Sequence, residues 1–151
     1  MMEITWSFHP FQDLPPALIH AIYKARVDVF VVEQHCPYAE VDDDDLVSIH
    51  VLGMYGHELV AYARIIPAKE AGELPHVGRV LVTAPHRGHG IAHRLMDVVQ
   101  DELRRMYGSA RSALAAQSHL QEFYEAHGHV RVGEVYDLDG IPHVDMERTD
   151  P

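Results

Sequence analysis

The chain has 151 residues, 12 of them basic and 23 acidic, for a formal charge of −11 with histidine neutral. So acidic a protein is excluded as a general binder of nucleic acid, which needs clustered Lys and Arg against phosphate. With 47% hydrophobic and 23% charged residues it is not a disordered chain, and its length predicts one domain with a sizeable core. The 13 histidines are unusual, because protonating all of them would carry the net charge to +2. Cys36 is the lone cysteine, so no intramolecular disulfide can form, which suits a reducing compartment. No apolar run is long enough to span a membrane, and the first residues do not read as a signal peptide. A cytoplasmic protein is expected.

In chain order, Ile4, Trp6 and Phe8 alternate with polar residues and predict a first strand. Asp13 before Pro15 and Pro16 marks a helix start, and Leu18, Ile19, Ile22, Val29 and Phe30 extend a helical pattern over 15–32. Pro37 stops it. An acidic run, Glu40 to Asp45, follows. Strands are predicted around Ile49–Met54 and Val60–Ile66, joined by a turn at Tyr55–Glu58. Residues 67–76 read as a loop and Val77–Val82 as a strand. A long helix over 90–107 carries Ile91, Leu95, Val98, Val99 and Leu103 on one face. Leu114–Ala116 is a buried strand, and His119–His127 a helix ended by Gly128. Strands at 129–137 and 141–148 flank the turn Asp139-Gly140. The order β-α-β-β-β-α-β-α-β-β predicts an α/β (α+β) fold, a mixed sheet with helices on both faces.

The stretch from Val80 to Ala92 runs from strand through loop to helix N-terminus. Its loop, Arg87-Gly88-His89-Gly90-Ile91-Ala92, has two glycines one residue apart behind an arginine. A helix N-terminus presents free N–H donors and about half a positive charge, so it suits an anion. Glycine there lets a phosphate approach the backbone, although a tight strand–helix turn would also select it. The loop is neither a P-loop nor a dinucleotide fingerprint, since no Gly-Lys-Ser/Thr and no third glycine follow.

This loop resembles the Arg/Gln-x-x-Gly-x-Gly/Ala loop of the GCN5-related N-acetyltransferases (GNAT). Phe123-Tyr124-Glu125-Ala126-His127-Gly128-His129 is similar to a second pattern of that family. The blocks Val31–Tyr38, Ala116–Gln121 and Asp139–His143 resemble its ElaA-like branch over nearly the whole chain. The resemblance implies a mostly antiparallel sheet and acetyl-CoA as co-substrate. It also implies direct acyl transfer to an amine in a ternary complex. Val80, Leu81 and Val82 would offer backbone groups to the pantetheine arm. Arg87, Gly88, His89, Gly90, Ile91 and Ala92 would hold the pyrophosphate. Gln117 stands near a position where relatives carry a pantetheine-contacting Asn, and His129 replaces a common aromatic residue.

Transfer to an amine needs three things: a base for the ammonium, an acid for the leaving thiolate and a donor for the oxyanion. Tyr124 is the candidate acid by the same resemblance, and a backbone amide of Val80–Val82 the oxyanion donor. The base stays open between Glu33 and His143, with His35, His50, Asp45 or a water chain as further choices. Cys36 has no readable activating partner. A CoA-binding module without turnover is the alternative function.

His86, His89 and His93 have metal-like spacing, but they fall in the anion loop and no Cys or acid completes the set. No metal is expected. Between residues 79 and 111, six arginines face three acids, so this stretch carries +3 and the rest −14. A basic half for phosphates and an acidic remainder is therefore expected. The acidic run 40–45 is read as a solvated loop, or as an attractor for a cationic acceptor such as a polyamine or Lys-rich peptide. Exposed sheet edges make a homodimer plausible on sequence grounds.

Overall fold

The computed structural model describes residues 3–150. The strands are β1 (Thr5–Pro10), β2 (Ile49–Tyr55), β3 (Glu58–Ile66), β4 (His76–Val82), β5 (Ser112–Gln117), β6 (Val130–Leu138) and β7 (Ile141–Arg148). They form one seven-stranded sheet in the order β1-β2-β3-β4-β5-β7-β6. All neighbours pair antiparallel except β4 and β5, which are parallel. The helices are α1 (Pro16–Arg26), α2 (Ile91–Tyr107) and the short α3 (Gln121–Glu125). The expected element order is therefore present, and so is the mixed, mostly antiparallel sheet. Among the described residues, no helix is long and apolar enough to cross a membrane.

β3 is buried from Leu59 to Ile65, as a central strand covered on both faces must be. Leu52, Tyr62 and Leu81 lie side by side in register across β2, β3 and β4. They pack with Ile22, Ala25 and Val29 from the first helical segment. On the other face, Leu95, Val99 and Leu103 of α2 meet Val51, Val60, Ala63 and Ile65. Each such side chain contributes about 1.5–3 kcal/mol by leaving water. α2 starts at Gly90 (φ 74°) and stops at Gly108 (φ 76°), whose N–H donates to the Arg104 carbonyl at 2.8 Å. Both caps are left-handed, which is why glycine stands at each end.

Three elements differ from the periodicity reading. The first helix is α-helical only to Arg26 and rewinds as a π-helix over Val27–Glu33. The segment carries four β-branched residues, Val27, Val29, Val31 and Val32, which favour the regular α-turn less than unbranched ones do, and it ends at Glu33. The helix expected over 119–127 is a 3₁₀ turn, Ser118–Leu120, followed by α3 and a closing turn. β4 is also irregular: Tyr62 pairs with Leu81 but Arg64 with Gly78, and Arg79 sits in the bulge at φ 52°. A non-glycine residue in that region is a strained placement.

Candidate active site

β4 and β5 touch at one register pair, His76 with Ala113, and then part. Beyond that pair no backbone pairing joins them, so the sheet splits into a cleft between Val80–Val82 and Leu114–Gln117. A cavity of about 650 Å³ lies along that split. Val80, Leu81, Val82, Arg87, Ala92, Gln117 and Tyr124 line one part of it. Glu33, Gln34, Cys36, Tyr38, Asp139 and His143 line another part. The predicted site residues therefore converge on one cavity, except Gly88, His89, Gly90 and Ile91. Those four follow Arg87 at the start of α2, where the Ile91 side chain belongs to the core.

The loop before α2 has the form the sequence suggested. Gly88 (φ 84°) and Gly90 (φ 74°) are both left-handed, and a Cβ on either would meet open space. Among the described residues, the amides from Gly88 to His93 have no backbone acceptor. They form a row of free donors at the positive end of a 17-residue helix, a disposition that accepts an anion. Arg87 lies beside this row. Its Nε donates to the Val82 carbonyl at 2.9 Å, and its two terminal nitrogens fork onto both carboxylate oxygens of Glu33.

Tyr124 is buried against Leu114, Ala116, Val144 and Met146, and it reaches the cavity wall. Burial pushes its phenol up to about 12, so it holds its proton throughout the neutral range. Its ring meets Phe123 edge-on at 4.9 Å and His129 at 6.3 Å. His129 is buried with Nε2 3.0 Å from Ser112 Oγ. Burial and the Arg148 charge push its pKa down to about 4, so it packs as a neutral ring.

The base candidates separate. His143 Nδ1 donates to the Ile141 carbonyl at 2.7 Å, which leaves the lone pair of the neutral ring on Nε2. Glu33 is engaged by Arg87 and is not a free carboxylate in this state. His50 is buried, donating from Nε2 to the Asp45 carbonyl at 2.9 Å and accepting the Tyr62 hydroxyl at Nδ1, 2.6 Å. His50 and Asp45 are both structural. His35 is exposed and left-handed (φ 51°), and it does not line the cavity. Gln117 Nε2 donates to Gln34 Oε1 at 3.1 Å and so joins β5 to the end of the first helical segment. Cys36 is buried, its thiol 3.3 Å from the Asp139 carbonyl.

The acidic run is the clearest correction. It is neither a solvated loop nor a free attractor for a cation, because three of its five carboxylates are consumed by arginines. Arg26, fully buried, holds Glu40 through Nε (3.0 and 3.1 Å) and Asp45 through Nη1 and Nη2 (2.6 and 3.1 Å). Arg64 holds Asp42 at 2.7 and 3.0 Å and Asp45 at 2.9 Å. Arg79 Nε lies 2.6 Å from Glu40 and its Nη2 3.4 Å from Asp42. Three guanidinium groups thus balance three carboxylates. Burial alone would raise the Asp45 carboxyl, but its bonds from Arg26 and Arg64 hold it below the usual range. Arg64 and Arg79 also line the cavity, so the network forms one of its walls.

The expected basic half shrinks for the same reason: two of its six arginines pair with carboxylates outside the stretch, Arg79 with Glu40 and Arg87 with Glu33, which takes its +3 to +1. The helix terminus, rather than that small surplus, is what favours an anion. Sequence reading missed the Arg26 network and the bulge at Arg79. The only available signal was an acidic cluster in a chain whose strands and first helix carry lone arginines. It also missed the contact of His93 Nδ1 with His127 Nε2, 2.8 Å across α2 and the turn after α3. No group of three or more metal-ligating side chains occurs among the described residues.

A model of the GNAT acetyltransferase domain matches residues 22–149. Protein ElaA of Escherichia coli (strain K12) is 40% identical over 147 residues, covering 96% of each chain. The chain belongs to the GNAT family, in its ElaA-like branch. A UPF0039 protein of Synechocystis sp. is 37% identical over 96% of this chain and 95% of its own. The crystal structure of E. coli ElaA superposes with a TM-score of 0.91 at 38% identity, covering 97% of this chain and 99% of that one. That of an acyl-CoA N-acyltransferase from Pseudomonas aeruginosa gives 0.90 at 36%, covering 96% and 99%. As a GNAT fold, the split sheet and the cavity along it are suited to acyl-CoA-dependent acyl transfer.

Proposed function

We propose that this protein is an N-acetyltransferase that moves the acetyl group of acetyl-CoA directly to a primary amine in a ternary complex. The observation that carries the reading is the cleft between β4 and β5, with free amides at one end and the buried phenol of Tyr124 in its wall. An extended pantetheine arm would lie in the split, hydrogen-bonded to strand groups of Val80–Val82 that have no partner on β5. The diphosphate would sit on the amides from Gly88 to Ala92, with Arg87 beside it and Gln117 along the arm.

Cationic in water, the acceptor loses its proton to a base, for which His143 and Glu33 are the choices. The free amine attacks the thioester carbonyl, and a β4 amide donates to the oxyanion that forms. The C–S bond then breaks as the N–C bond is completed. Tyr124 gives its proton to the departing thiolate. A neutral, desolvated phenol beside the cavity supports that role. No nucleophilic relay is needed, and Cys36, tied to the Asp139 carbonyl, is not assigned one. The lone thiol suits the cytoplasm, which we take as the compartment.

The test is release of free CoA thiol from acetyl-CoA across a panel of small amines, polyamines and peptides. Turnover with at least one primary amine, lost in Tyr124→Phe while CoA still binds, is the expected result. CoA binding without turnover on any amine would favour the module that binds but does not transfer.

A further inference from the structure

Arg87 is asked to serve two anions. In this structure its guanidinium forks onto both oxygens of Glu33, at the end of the π-helical segment, one contact being 3.2 Å. A fork of this shape fits a phosphate as well as a carboxylate. Arg87 also directly precedes the free amides of Gly88 to His93, where the proposed diphosphate would sit. Both partners line the cavity, and both are only half-buried, with 42% and 43% of the side chain exposed. The pair ties the first helical segment, which carries Glu33, to the loop after β4, which carries Arg87.

We infer that Glu33–Arg87 is an exchangeable latch: the diphosphate of acyl-CoA takes Arg87, and the carboxylate so released becomes the cavity's receptor for the cationic amine. This rests on the acyl-CoA reading above. An exposed ion pair is weak enough to be exchanged, worth at most about fivefold in an equilibrium constant. A diphosphate offers Arg87 more charge than one carboxylate and is already held by the loop amides. Once unpaired, Glu33 is an anion in the cavity wall, near Gln34 and Tyr38, which the free protein does not present. An amine therefore meets its counter-charge only after acyl-CoA is bound. By linkage, each ligand then tightens the other. The π-helical turn has a function in this arrangement, because it sets Glu33 opposite Arg87 at the end of the segment.

The experiment is calorimetric titration of wild type, Glu33→Gln and Glu33→Ala with CoA, and with pantetheine, which lacks the diphosphate. A competing carboxylate predicts that both variants bind CoA about two- to fivefold more tightly than wild type. It predicts equal pantetheine affinity for all three. A carboxylate that merely holds Arg87 in place predicts the opposite sign, weaker CoA binding in both variants. Weaker or unchanged CoA affinity overturns the latch and leaves the acyltransferase reading standing. A wild type that binds no CoA overturns both.

Discussion

Replacing Asp45 with asparagine isolates what the acidic run does. The change keeps the side-chain shape and removes one charge. Asp45 accepts from Arg26 Nη1 at 2.6 Å, from Arg26 Nη2 at 3.1 Å and from Arg64 Nη1 at 2.9 Å. Asparagine has one acceptor oxygen, so its amide nitrogen must face a guanidinium N–H, donor against donor. Arg26 and Arg64 are 0% and 4% exposed, so neither can turn to water for compensation. Removing one partner from a buried ion pair costs about 3–5 kcal/mol. For a domain of this length that is a fall in Tm of roughly 6–20 °C. Asp43, exposed in the same run, serves as control, and Asp43→Asn should stay within about 0.5 kcal/mol. Urea unfolding followed by far-UV circular dichroism measures both, with an unchanged m-value as the sign of an intact two-state comparison. The pH dependence has a definite sign. Asp42 and Asp45 are both held below the usual carboxylate range, so their contribution is full above the unfolded pKa and is lost as pH falls through the folded one. Asp45→Asn should therefore flatten the acid limb below about pH 4. A loss under about 1 kcal/mol, or one equal to that of Asp43→Asn, would refute the buried-network account.

Three further outcomes are expected. Tyr124→Phe should lower kcat by about 10²- to 10⁴-fold with little change in CoA affinity, and retained turnover would remove the phenol from the reaction. His129 should make the fold acid-sensitive. Its folded pKa, about 4, lies below the unfolded value near 6.5, so stability is full above pH 6.5 and falls as pH drops toward 4. The difference amounts to about 2 kcal/mol by pH 5 from this ring alone, and denaturant titrations of wild type and His129→Gln at pH 7.5 and 5 should diverge accordingly. Gly53→Ala should destabilise by about 1–3 kcal/mol, because the new Cβ would stand 2.6 Å from the Trp6 ring across β1 and β2, and an unchanged Tm would contradict that packing.

Much of this protein could be read from residue order. Local signals placed the elements: alternation at Trp6 and Phe8, the helical stripe from Ile91 to Leu103, the turn at Asp139-Gly140. The Arg87–Ala92 loop was legible because an anion-ready helix start needs glycines at fixed places, and that requirement is written in consecutive residues. Tyr124 and His143 were legible as candidates through short motifs. What consecutive residues could not show was pairing across distance. Arg26, Glu40, Asp42, Asp45, Arg64 and Arg79 lie on four separate stretches, and only the packed sheet closes them into one neutral cluster. The same holds for Glu33 and Arg87, 54 positions apart. The net charge shows the difference most plainly. A net −11 and an acidic run suggested a field reaching into solvent, but a Coulomb field depends on where the partners sit and how far they are from water. Composition supplies the number of charges, and folding determines which of them remain uncompensated.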